Sequence, residues 1–192
     1  MNEVLTNPEA QQGYENELVE GFAGLADLSA EVIERSIAEN TAAYEATGSS
    51  ESTFTGVSLA DIENFMANKY PDADVEEVGV RAAQLFNRIA MEVHDLPEPD
   101  DLSRLDTSSR TAKLEPGDVL AYAIAHANDH MEHRVTDETS SGLEEDKINN
   151  FTAKLDGDDA FKQYHHDKIQ ARVQQMGFRR NASKYPNTPD YI

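Results

Sequence analysis

Cysteine is absent from this chain, which excludes a disulfide scaffold and any chemistry that runs through a thiolate. Long apolar runs are absent as well: no window approaches the roughly 18 residues that a membrane-spanning helix requires. Aromatic residues make up only 7% and mean hydropathy is −0.64, so the apolar core has to be modest. Basic residues are scarce, 16 against 37 acidic ones, for a formal net charge of −21. Such a charge repels nucleic acid and argues against generic DNA binding. The amino-terminal MNEVLTNPEAQQ carries acid rather than the basic and apolar regions of a secretion signal, so neither export nor membrane insertion is expected.

Several catalytic signatures are missing too. The sequence holds no Gly-rich phosphate loop, no G-x-S-x-G and no dinucleotide-binding fingerprint. LDGDDAF, at 155–161, has three acids but lacks the spacing and distal Glu of an EF-hand loop. Asn150-Phe-Thr152 and Asn181-Ala-Ser183 match the glycosylation sequon, which without export carries no weight.

What is present is 192 residues, 39% of them hydrophobic, enough for one domain with a real core or two small helical lobes. The acids are scattered along the whole chain rather than gathered in a tail, which points to a hydrated surface rather than an interaction arm. This composition resembles that of proteins from extreme halophiles, whose surface charge repels itself in dilute buffer and is screened in brine.

Periodicity predicts an all-α fold, a compact bundle of about five to seven helices with extended polar ends. Residues 1–13 read as an extended arm, 14–177 as the helical domain with loops near 47–57 and 97–113, and 178–192 as an extended tail. From Tyr14, Leu18, Phe22, Leu25, Val32, Ile37 and Tyr44 recur at helical multiples, with Gly21 and Gly24 expected to weaken or break the segment near its start. Ser58 reads as an N-cap with Asp61 in the first turn, and Pro71 closes the helix that follows. A helix from about Asp74 buries Val75, Val78, Ala82, Leu85, Phe86, Ile89 and Val93, with Arg88 and Glu92 off that face. Pro116 suits the first turn of a helix reaching about Asp137. Ser141 and Glu144 form another capping-box pattern, Asp156 and Asp158 suit the cap of the last helix, and Gly177 suits its stop. No alternating strand of five or more residues and no fixed-period repeat is found.

AHANDHMEHR, at 125–134, concentrates three of the six histidines. At ~100° per residue, His126, His130 and His133 fall within about 60° of one another, flanking the stripe of Leu120, Ile124, Ala127, Met131 and Val135. Imidazoles at i and i+4 can chelate one metal, with Asp137, His94, His165 or His166 as further ligands. The spacing is that of H-E-x-x-H, but Ala127 stands where that motif needs its Glu, so a metalloprotease is excluded. The H-x-x-x-H pattern is similar to that of metal-binding four-helix bundles of the DinB type, over about ten residues. A metal site there implies zinc or another divalent transition metal as cofactor, in a metal-binding helical-bundle protein or enzyme. The simpler reading makes the histidines the polar flank of a helix, with no cofactor.

The last 15 residues, FRRNASKYPNTPDYI, differ from everything before them. Arg179, Arg180 and Lys184 stand against one acid, and prolines favour an extended course. Tyr185 and Tyr191 would anchor such a strip on an acidic partner. Helices such as VEEVGVRAAQLFNRIAMEV and DVLAYAIAHANDHMEHRV, followed by this tail, resemble in organisation the head–tail connector (adaptor) proteins of tailed viruses, here of a kind suited to a haloarchaeal host. The resemblance implies a non-enzymatic structural subunit that forms a homo-oligomeric ring and grips a portal or neighbouring ring. Its contacts would be Arg179, Arg180, Lys184, Tyr185 and Tyr191, and its location the virion, or the host cytoplasm before assembly. The alternatives are a metal-binding helical bundle using His126, His130 and His133, and a soluble regulatory or interaction protein of a halophile.

Overall fold

The computed structural model describes residues 8–48, 56–94, 113–132 and 140–181, and side chains over 17–48, 56–94, 113–129 and 144–177. These residues form six helices: α1 (Pro8–Thr47), α2 (Leu59–Lys69), α3 (Val75–His94), α4 (Pro116–Glu132), α5 (Ser140–Ala153) and α6 (Asp159–Asn181). One antiparallel ladder of two residues a side joins β1 (Val57–Ser58) to β2 (Lys113–Leu114), pairing Val57 with Leu114 and Ser58 with Lys113. The all-α reading holds.

The centre of the fold is α4. Every residue of it from Asp118 to Ala127 is buried, because α1 packs along one side, α6 along another and α5 closes the gap. A helix apolar on most of its surface belongs inside, and four alanines, 121, 123, 125 and 127, let its neighbours approach closely. The α1–α4 contact is the most extensive, followed by α4–α6 and α2–α3.

On α1 the buried positions Leu18, Phe22, Leu25, Ser29, Val32 and Ser36 follow one another at alternating steps of four and three, the spacing of a coiled-coil seam. Two members are serines whose hydroxyls donate to the carbonyl oxygens of Leu25 (3.2 Å) and Val32 (2.8 Å), so they enter the core without an unmet donor.

The expected break at Gly21 and Gly24 does not occur: α1 is continuous and starts at Pro8, inside the segment expected to be extended. Gly24 serves close approach instead, since a Cβ there would lie 3.0 Å from the Phe65 ring of α2. Nor does Gly177 stop the last helix, as α6 runs on to Asn181 and no open turn begins at 178. The left-handed stop is Gly48 (φ 67°), whose N–H donates to the Tyr44 carbonyl at 2.8 Å. Arg88 and Glu92, placed off the buried face by periodicity, are 8% and 7% exposed. Val75 and Tyr44, placed on apolar stripes, are 89% and 57% exposed. Both lie in an end turn of their helix, where the neighbouring residues are exposed too.

Local signals fare better. The Ser58 cap is present in full: Ser58 Oγ accepts from Asp61 N at 3.2 Å and Ser58 N donates to Asp61 Oδ2 at 2.8 Å. Asp158 Oδ1 accepts from Phe161 N at 2.9 Å, capping α6. Because β1 leads directly into α2 and β2 into α4 through Glu115, the ladder pins the beginnings of those two helices together. Against α1, α5 is registered by Lys147–Asp27 (2.6 Å) and, just past its end, by Lys154–Glu34, two ion pairs seven residues apart along each segment.

Candidate functional site

His126, the first of the three histidines, does not flank the apolar face of α4. His126 is fully buried, its ring 3.9 Å from that of Tyr122 and 5.2 Å from that of Phe22 on α1. Its Nε2 donates to Glu92 Oε2 of α3 at 3.1 Å, and the other oxygen of Glu92 accepts from Arg88 Nε at 3.2 Å. Arg88, Glu92 and His126 thus form a buried polar relay between α3 and α4. The carboxylate serves both neighbours, which is what makes three such groups tolerable in a core. Periodicity on one helix cannot reveal this, because the polar line of α4 is covered by α1 and α3.

This pairing aims the His126 ring at a carboxylate inside the protein. The side chain of His130 and all of His133, like Asp137, lie outside the described residues. Among the described residues no group of three or more His, Asp or Glu side chains is arranged to hold a metal ion. His94 is exposed at the end of α3. His166 Nδ1 sits 3.6 Å from Asp167 Oδ1 of its own helix. His165 belongs to a different place.

That place is a cavity of about 370 Å³ between α1, α5, α6 and the start of α4. Ile33, Phe151, Leu155, Phe161 and Ile169 supply its apolar wall. Glu115, Asp118, Lys168 and Arg172 gather at its polar end, with His165 beside them. The strand–helix junction sets the acids: Glu115 follows β2, its carbonyl receives the N–H groups of Asp118 (3.0 Å) and Val119 (3.1 Å), and α4 begins. The bases stand four apart on α6, on the side turned to α4.

Asp118 and Arg172 form a buried ion pair, Oδ1 to Nε 3.4 Å. Burial pushes the Asp118 carboxyl above its usual range, against the pull of Arg172 and Lys168. Burial also raises Glu115, helped by the nearby Asp118 charge and opposed by Lys168 and Arg172. Burial, with Lys168 adding to it, lowers His165 and favours its neutral ring. That ring stacks edge-on against Phe161, 4.5 Å between centroids. Perturbed titrating groups gathered in one cleft mark a candidate site on physical grounds.

Comparison of the chain with protein-family models, with curated proteins and with solved structures finds no match. Of the tail residues, Arg179 and Arg180 have helical backbone within α6. Lys184, Tyr185 and Tyr191 lie outside the described residues. The residues that sequence reading missed are Glu115, Asp118, Lys168 and Arg172. Their signal was an acid pair bracketing Pro116-Gly117 and a base pair four apart, a pattern any exposed helix also shows.

Proposed function

We propose that this chain is a non-enzymatic assembly subunit that forms a homo-oligomeric ring. The head–tail connector of a tailed virus is the form its organisation resembles, with the basic carboxy-terminal segment gripping a portal or neighbouring ring. The observation that carries the self-association is the end of α1. Residues 41–48, TAAYEATG, are all exposed although seven of them are helical. The stretch has one charge, Glu45, in a chain of net charge −21, and it offers three alanines and a tyrosine. Two copies this acidic repel each other over most of their surface, so the weakly charged rod is where contact costs least. A second copy is therefore the occupant the charge pattern favours. The tail has the opposite character, three bases and two tyrosines, and suits an acidic partner.

The experiment is the solution mass of the full chain, measured by light scattering in high-salt buffer. A closed oligomer that dissociates in Tyr44→Glu but persists in His130→Ala is expected. Truncation after Asn181 combined with Arg179→Glu and Arg180→Glu, which removes every basic and tyrosine contact of the tail but keeps α6, is expected to abolish capture of an acidic partner ring while leaving the fold intact. A monomer at every salt concentration would overturn the reading.

A further inference from the structure

We propose that the cavity between α1, α5, α6 and the start of α4 binds a small zwitterion with an apolar body, of the class of free branched or aromatic amino acids. This proposal is independent of the assembly reading.

The cavity volume of about 370 Å³ falls at the lower end of the range for small-molecule sites. Four charged side chains border its polar end, and two of them, Asp118 and Arg172, neutralise each other. Glu115 and Lys168 remain. Each lines the cavity, and among the described residues neither takes part in an ion pair or a side-chain hydrogen bond. They are near enough to influence one another's charge. A half-buried carboxylate and a half-buried ammonium facing one cavity without direct partners leave two interactions open, of opposite sign.

The ligand class follows by elimination. An organic anion meets Glu115, Asp118 and the field of a chain at −21. A simple amine meets Lys168 and Arg172 as like charges. A molecule carrying both an ammonium and a carboxylate gives Glu115 its cation and Lys168 its anion, and crosses the protein's field as a neutral species. Its body then lies against Leu155, Phe161 and Ile169. Gly157 leaves room for the Phe161 ring, since a Cβ at 157 would lie 2.5 Å from it.

The test is isothermal titration calorimetry on the full chain with L-leucine and L-phenylalanine. Phenethylamine and 3-phenylpropionate serve as probes lacking one charge or the other. One amino acid is expected to bind one per chain, and both single-charge probes about tenfold more weakly or not at all. Glu115→Gln and Lys168→Met are each expected to weaken the amino acid about tenfold, and Leu155→Trp to block it. Should a variant fail to fold, the probe series on the unaltered chain decides alone. Binding of none of the four, equal binding of a single-charge probe, or unchanged affinity in a folded Glu115→Gln would each overturn the proposal.

Discussion

Asp118 Oδ1 stands 3.4 Å from Arg172 Nε, with 7% and 6% of the two side chains exposed. In a chain with only nine arginines, one is thus committed to the interior, where it joins the first turn of α4 to the middle of α6. Burial raises the Asp118 carboxyl and Arg172 opposes that rise, so the pair is held against a desolvation cost. Arg172→Met is expected to destabilise the fold by about 3–5 kcal/mol, since it strands a buried carboxylate. The double variant Asp118→Leu, Arg172→Met should recover much of that loss. Urea denaturation of the single and double variants measures both. A single variant no worse than the double would show that the ion pair contributes no coupling.

Asp61 carries the opposite shift. Burial alone would raise its carboxyl, but hydrogen bonds from the Ser58 hydroxyl and backbone, together with the Arg35 guanidinium at 2.8 Å, hold it below its ordinary value. A carboxyl whose folded value is depressed binds fewer protons folded than unfolded in the window between the two values. Its stabilisation is therefore complete above the unfolded value and is lost as pH falls through the folded one. Ser58→Ala is expected to cost about 1 kcal/mol near neutral pH. Its deficit against the unaltered chain should shrink on acidification below about pH 4. Thermal midpoints of the two proteins across that window check it, and a deficit that grows on acidification would refute the linkage.

The two cases mark what a sequence exposes. The Ser58 and Asp158 caps and most of the buried face of α3 were legible because caps and amphipathic periods are local. The surroundings of α4 were not. Its residues were assigned one apolar stripe, yet neighbouring helices cover every residue from Asp118 to Ala127, so Tyr122 and His126 became core. The same tertiary cover hid Arg88 and Glu92, which look like any i,i+4 surface pair until His126 arrives from 34 positions away. Gly24 misled for a related reason: propensity disfavours glycine in a helix, but the close packing of α2 on α1 outweighs one residue's preference. The cavity brings Glu115 and Lys168 into one lining across a fold that no spacing rule connects.

Salt should separate surface electrostatics from buried. A net charge of −21 repels itself over distances that salt screens, the Debye length falling from about 30 Å at 0.01 M to about 3 Å at 1 M. The thermal midpoint of the full chain is therefore expected to rise as KCl is added across that range. Asp118–Arg172 and Arg88–Glu92 are shielded from solvent, so the cost of Arg172→Met should be nearly the same at both ends. Differential scanning calorimetry on both proteins provides the comparison. A midpoint that does not move with salt would remove self-repulsion as a determinant of this fold.

Two helical glycines provide the sharpest local contrast. Gly79 lies inside α3 and a Cβ there would meet nothing within 4 Å, whereas one at Gly24 would meet the Phe65 ring at 3.0 Å. Helix propensity favours alanine over glycine by about 1 kcal/mol in both places. Gly79→Ala has no opposing contact and is expected to stabilise by about 0.5–1 kcal/mol. Gly24→Ala must move an aromatic ring wedged between α1 and α2, which should cancel or reverse the gain. Adding Phe65→Leu to Gly24→Ala tests the cause, because a shorter side chain leaves room for the new methyl. Urea midpoints should then show Gly24→Ala less harmful in the Phe65→Leu background than in the unaltered one. Equal effects in the two backgrounds would mean that Gly24 is retained for a reason other than the approach of α2.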